Sequence, residues 1–134
     1  MKAYNRVLVG DQNDGRIGEM DLEFYDEYGS NIISEFSTMP FSNLGNSIRF
    51  PSLELTVESG VGNSEDENPM ITMSRSVDGV IFKNPITRRL GKIGDYRHRA
   101  IWRRNGRAGR LEVFKFSCSA KVKKVFVKLE ADVL

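Results

Sequence analysis

The sequence predicts an all-β domain, an antiparallel β-sandwich or barrel-like fold of about eight to ten short strands. Two observations carry this expectation. No segment keeps apolar residues at i, i+3, i+4 and i+7 for the roughly ten residues a helix needs. Short apolar runs at strand-like intervals instead recur along the whole chain, separated by Gly, Pro, Asn and Asp turn signals. At 134 residues the chain fits one domain, residues 1–134, large enough to bury a core without a metal or a disulfide.

The first stretch, "YNRVLVGDQNDGRIGEMDL", reads as a β-hairpin: Val7, Leu8 and Val9 form one run, Asp14-Gly15 ends the turn, and Ile17 to Leu22 alternate in a second run. These first 25 residues look like a blade-type hairpin, the remnant of a preceding propeller-like portion, which would make the chain a fragment. In "FYDEYGSNIISEFST" a polar turn from Asp26 to Ser30 precedes a strand expected to hold Ile32, Ile33 and Phe36. In "NSIRFPSLELTVESGVG" the pair Ile48 and Phe50 is one residue out of phase with Leu53, Leu55 and Val57, and a bend at Pro51 would bring both sets to one face.

The acidic stretch "NSEDENP", residues 63–69, lacks apolar residues and is expected to be a mobile exposed loop. After it, "MITMSRSVDGVIFKN" reads as a hairpin turning at Asp78-Gly79, and "ITRRLGKIG" as a separate short strand and turn. "DYRHRAIWRRNGRAGRLEVFKFSCSA" reads as two strands joined around Asn105-Gly106. In "KKVFVKLEADV" Val125, Val127, Leu129, Ala131 and Val133 share a face. No clean internal repeat and no low-complexity linker interrupts this series.

Composition narrows the function classes. No apolar run approaches the roughly 18 residues of a membrane helix, and residues 1–25 lack a secretory pattern, so the expectation is an intracellular chain with no membrane contact. Cys118 is the only cysteine and His98 the only histidine, which excludes an internal disulfide, any multi-cysteine zinc site and any histidine-rich metal site. The net charge of +2 conceals an asymmetry: residues 1–82 hold 5 Lys+Arg against 14 Asp+Glu, and residues 83–134 hold 15 against 4. The two parts attract each other, or each attracts a partner.

The densest feature is the basic run beginning at Tyr96. On a strand, Tyr96, His98, Ala100 and Trp102 would share one face and Arg97, Arg99, Ile101 and Arg103 the other, with same-face neighbours about 7 Å apart. Two uses compete for this stripe. Arginine forks match phosphates along a nucleic acid, and they match carboxylates of the acidic N-terminal part or of a partner protein equally well; the second use is favoured. Base stacking would need exposed rings, whereas Tyr96 and Trp102 fall on the Ala100 face and are expected in the core.

No catalytic constellation emerges. A serine nucleophile needs an activating base, and His98 is expected to point inward. Cys118 alternates with Phe114 and Phe116 and is expected to be a buried, unreactive thiol. The carboxylates of "SEDENP" lack the alternation and glycine of a calcium loop. "SVDGVIF", Ser76 to Phe82, is similar to the Asp-box turn of propeller blades, one residue short, in which an aspartate accepts hydrogen bonds from turn N–H groups; that role is structural.

Four stretches in order, "VLVGDQNDGRIGEMDLEFYDEYG", "SIRFPSLELTVESGVG", "NPMITMSRSVDGVIF" and "RRLGKIGDYRHRAIWRRNGRAGRLEVFKFSCSAKVKKVFVKLEAD", resemble the C-terminal part of the packaged-DNA stabilisation, or tail-hub, proteins of short-tailed phages and prophages. Val80 and Ile81 stand where that family has a more glycine-rich turn bearing Thr and Trp, and the chain is far shorter than a complete member. The resemblance implies a non-enzymatic virion protein without cofactor, located in the tail after assembly in the host cytoplasm. It also implies a homo-oligomeric ring beneath the portal that docks to other tail and portal proteins and helps keep packaged DNA from leaking. On this reading Arg88, Arg89, Arg97, Arg99, Arg103 and Arg104 contact an acidic protein surface, and reversing the charge at Arg97 and Arg99 blocks assembly without unfolding the chain. The alternatives are a nucleic-acid-binding module using the same arginines on phosphates and, less favoured, a carbohydrate-binding β-sandwich.

Overall fold

Alternation along the strands decides which side chains meet in the middle of the molecule. The computed structural model describes residues 1–134 and contains fourteen strands and no helix. The N-terminal layer holds β1 (Lys2–Ala3), β2 (Arg6–Gly10) and β3 (Ile17–Glu19), a three-stranded antiparallel sheet, and the small hairpin of β4 (Asp26–Glu27) and β5 (Ser30–Asn31). The remaining strands are β6 (Ser34–Ser37), β7 (Ile48–Arg49), β8 (Ser52–Val57), β9 (Met70–Ser76), β10 (Lys83–Arg89), β11 (Ala100–Arg103), β12 (Arg107–Ala108), β13 (Val113–Cys118) and β14 (Phe126–Ala131). Five of the fourteen are two-residue pieces, so the longer strands fall within the expected number.

Two antiparallel sheets make the sandwich: β10-β9-β13-β6 and β11-β8-β14. On the first sheet Ile86, Met73, Phe116 and Phe36 lie in one cross-strand row, and on the second Trp102, Leu53 and Ala131 lie in another. The rows meet through the rings of Trp102 and Phe116, edge to face with centroids 5.2 Å apart. Phe50 and Phe114 extend the same contact at 5.0 Å. The bend at Pro51 works as expected, since Ile48, Phe50, Leu53 and Leu55 are all buried and β7 and β8 pair with different partners, β12 and β11.

At one side of the sandwich the edge strands β10 and β11 face each other and are stitched by side chains. Trp102 Nε1 donates to the Ile86 carbonyl at 2.9 Å, and Arg88 Nε donates to the Ile101 carbonyl at 3.1 Å. Arg88 lies opposite the buried Ile71, so its stem leaves from the inward face and its guanidinium covers the opening. An inward-pointing charge of this kind blunts a sheet edge against pairing with another chain.

Several expectations are corrected. The segments before and after Asn105-Gly106 do not form a hairpin, because β11 pairs with β8 and β13 with β9 and β6, in different sheets. The turn instead closes on the Pro51 bend: Arg104 N–H donates to Pro51 O at 2.8 Å, Asn105 N–H to Phe50 O at 3.1 Å, and Phe50 N–H to Gly106 O at 3.0 Å. "ITRRL" is no separate strand, since Lys83–Arg89 run continuously with a bulge after Lys83. In the last strand a register shift between Phe126 and Lys128 breaks the alternation. Phe126, Leu129 and Ala131 therefore turn toward the core, and Val125, Val127 and Val133 are exposed. Ile32 and Ile33 lie outside any strand and are exposed.

The loop at 63–69 is tied down. Asn63 Oδ1 accepts from the N–H groups of Glu65 and Asp66 while its Nδ2 donates to Lys121 O at 2.8 Å. Residues 1–47 include no buried residue; lysines hold the N-terminal layer to the sandwich, with Lys121 Nζ donating to Gly29 O at 2.8 Å and Lys124 Nζ to Ile32 O at 2.7 Å.

Candidate interaction surface

All six arginines singled out by sequence are exposed, yet strand pairing gives them different tasks. Arg88 is spent on the β10/β11 edge. Arg99 makes a two-pronged contact with Glu54, Nε to Oε1 at 2.7 Å and Nη2 to Oε2 at 2.6 Å. This fork holds the Glu54 carboxyl below its ordinary range and pushes the Arg99 guanidinium up, each through the side-chain hydrogen bond first and the charge second. The outer face of β11-β8-β14 is therefore a mosaic, with Lys128 against Glu130 at 2.8 Å and the Ser52 hydroxyl on Asp132 at 2.6 Å. Arg89, Arg97, Arg103 and Arg104 have no carboxylate within ion-pair distance.

Tyr96 and His98 correct the expected stripe geometry. The strand begins only at Ala100, so Tyr96 is exposed, its ring lying across Gly60, and His98 is half-buried beside Gly91 with Nδ1 3.6 Å from Asp95. Ala100 and Trp102 are core residues, as expected.

Sequence reasoning missed two further arginines. Ile48 pairs with Ala108 and both are buried, which leaves the neighbouring pair Arg49 and Arg107 directly opposite each other on the exposed side. Like charges at this position repel, and neither has a carboxylate partner. Arg104, held in the left-handed region at φ 58°, joins Arg49 in lining a cavity of about 440 Å³ with Phe50, Pro51, Gly106 and Leu134. A bulky residue at positive φ is strained and needs surrounding structure to hold it; here the interlock with Phe50 and Pro51 supplies it. No local pattern reveals this cradle, because it depends on β7 meeting β12.

Beneath that turn lies an ion pair whose carboxylate is buried and whose arginine is partly exposed. Arg75 Nε donates to Glu112 Oε1 at 2.7 Å, with Glu112 2% exposed, and Arg75 Nη1 donates to the Asn105 carbonyl. The position of Arg104 thus depends on Arg75.

The Asp78 turn is built as its sequence suggests. Asp78 Oδ1 accepts from Val80 N–H at 2.8 Å, Ile81 N–H at 2.9 Å and the Ser76 hydroxyl at 2.7 Å, and Ser76 Oγ accepts from Gly79 N–H at 2.8 Å. Those donors, the backbone N–H groups of Ile81 and Val80 foremost, hold the carboxyl at about 2 against an ordinary 3.8. Because the folded value is the lower one, the aspartate stabilises the fold above about pH 4 and loses that contribution as the pH falls toward 2. The stability gap between the native chain and an Asp78→Asn variant is therefore expected to narrow over that interval in chemical denaturation; a gap independent of pH would refute the charge-based role.

Cys118 is buried among aromatics, and burial pushes its thiol up, away from the reactive thiolate. No group of three or more His, Cys, Asp or Glu is placed to hold a metal ion. What the surface offers chemically is cationic hydrogen-bond donors on a rigid support, suited to carboxylates or phosphates.

Comparison with known families finds a match to the model described as bacteriophage P22 Gp10, beta-sandwich, over residues 33–134. The match begins just before β6 and so takes in the whole sandwich. No curated protein sequence matches the chain.

Proposed function

The chain belongs to the bacteriophage P22 Gp10 β-sandwich family, a family of phage virion proteins, and on that premise we propose that it is a non-enzymatic component of a phage tail hub. It docks to neighbouring tail and portal proteins in a homo-oligomeric ring and helps retain packaged DNA. Family membership across the sandwich is the observation that carries the proposal. The arginines without carboxylate partners, Arg89, Arg97, Arg103 and Arg104, supply the docking cations, while Arg88 and Arg99 support the face from within. Arg89 and Arg103 end strands β10 and β11, and Arg97 and Arg104 lie in the turns on either side of β11; such unpaired arginines suit complementary protein surfaces because their planar forks fix orientation.

The experiment is charge reversal without unfolding. Arg97→Glu combined with Arg103→Glu is expected to leave the melting temperature within about 2 °C of the native value, as for exposed substitutions, and to reduce the chain's occupancy in purified particles at least about tenfold, the equivalent of about 1.4 kcal/mol of docking energy. Native occupancy in the variant particles would refute the assignment.

A second reading, phosphate binding by the same four arginines, draws on their lack of carboxylate partners. The family match favours docking over it; of the two rings in the arginine segment Trp102 is fully buried, which leaves only the exposed Tyr96 for base stacking.

A further inference from the structure

The N-terminal layer, which lies almost wholly outside the family match, carries its own unpartnered surface. Residues 1–33 hold 3 Lys+Arg against 7 Asp+Glu, net −4, and residues 34–134 hold 17 against 11, net +6. Within the acidic layer the connection from β3 to β4 presents Met20, Leu22 and Phe24 at 63%, 92% and 69% exposure. Three large apolar side chains thus stand open to a partner within five residues.

The tip is an ordered turn. Glu23 N–H donates to Asp21 Oδ1 at 2.9 Å and Phe24 N–H to Asp21 O at 3.4 Å, holding Leu22 outward between the carboxyl groups of Asp21 and Glu23. Such a pre-ordered knob loses less conformational entropy on docking than a flexible loop does. Glu23 has no cationic partner.

The sandwich carries the counterpart. The cavity of about 440 Å³ behind the Pro51 bend has two guanidinium groups, Arg49 and Arg104, with no carboxylate partner, and an apolar wall from Pro51 and the exposed Leu134. An acidic turn with an apolar tip matches it in charge and in chemistry: Leu22 against Pro51 and Leu134, Glu23 and Asp21 toward the two arginines. The apolar walls favour this occupant over a phosphate chain, which would leave Leu134 and Pro51 without a partner.

We propose that the turn Asp21–Phe24 of one copy seats in the cradle lined by Arg49 and Arg104 of a second copy. The contact is head-to-tail, since each copy retains a free turn and a free cradle, so it propagates into rings or chains. The inference deepens the assembly reading and rests on it for its setting, and it adds Arg49 to the residues that dock.

The test is sedimentation velocity of the purified full chain across concentration at low and high salt, with two variants. Leu22→Arg/Glu23→Arg reverses the knob, and Arg49→Glu/Arg104→Glu reverses the cradle; all four side chains are exposed, and circular dichroism checks that both variants fold. Should the cradle variant lose its fold, Arg49→Gln/Arg104→Gln replaces it. Each variant is expected to raise the self-association constant for dissociation at least about tenfold. An equimolar mixture of the two reversed variants should recover association, because the reversed knob meets the reversed cradle. A chain that stays monomeric at every concentration, or whose two variants each associate as tightly as the native chain, overturns the contact. Monomeric protein that still occupies particles overturns only this inference; self-association through the turn with no occupancy in particles overturns only the tail assignment.

Discussion

Replacing Arg75 with alanine is expected to destabilise the fold by about 3–5 kcal/mol, the range for breaking a buried ion pair from one side. The cost arises at Glu112, 2% exposed and bonded to Arg75 Nε at 2.7 Å, whose carboxylate would be left without its cation. Native stabilities are of the order of 5–15 kcal/mol, so this single change removes a large share. The double variant Arg75→Met/Glu112→Leu, which removes both charges, is expected to recover much of the loss, because apolar replacement of a whole buried pair is often neutral or better. Urea denaturation of the single and double variants measures both; a loss under about 1 kcal/mol in Arg75→Ala would mean that water reaches Glu112 and the pair is structurally dispensable. Because Arg75 also donates to the Asn105 carbonyl, the single variant is expected to loosen the turn that carries Arg104 and so weaken docking as well as folding.

Trp102→Ala is expected to cost about 3–5 kcal/mol, the range for removing a large buried aromatic. The indole is fully buried, packs edge to face on Phe116 at 5.2 Å and ties β11 to β10 through Ile86 O. Its loss would open a cavity between the sheets and release the stitched edge together. Trp102→Phe keeps most of the volume and loses the hydrogen bond, and about 1–2 kcal/mol is expected. The chain has one tryptophan, so unfolding of both variants must be followed by far-ultraviolet circular dichroism. Equal losses in the two variants would place the energy in the Nε1 hydrogen bond instead of the packing.

Local chemistry made much of the sandwich legible. Pro51 between two out-of-phase apolar sets announced a bend, and Asp78-Gly79 between alternating runs announced a hairpin; β7, β8, β9 and β10 follow from them. Partner choice was not legible in the same way. Asn105-Gly106 has the chemistry of a hairpin turn, but Trp102 and Phe116 must face each other from opposite sheets to fill the core, and that long-range demand sends β11 and β13 apart. The bulge at Val127 left no signal beyond an alternation that β-branched residues satisfy on either face.

The surface followed the same rule. Exposure of the arginines could be read from their spacing, whereas their partners could not. Glu54 reaches Arg99 because Leu55 pairs with Ala100, 45 residues away, and Arg88 finds the Ile101 carbonyl only because two sheet edges meet. Arg49 and Arg107 lie far apart in sequence and stand side by side only because β7 pairs with β12. The expectation that the basic C-terminal part would meet carboxylates of the acidic N-terminal part is realised for Arg99, Lys121 and Lys123, against Glu54, Asp26 and Glu58, and Arg89, Arg97, Arg103 and Arg104, among the arginines left over, are those proposed for docking.

The most direct measurement of the central claim is DNA retention in phage particles assembled with and without this chain, read as the fraction of packaged genome that becomes accessible to nuclease. The account predicts that particles lacking the chain release most of their DNA and that adding back the native protein, but not Arg97→Glu/Arg103→Glu, restores retention. Particles that keep a full, nuclease-protected genome without the chain would contradict it.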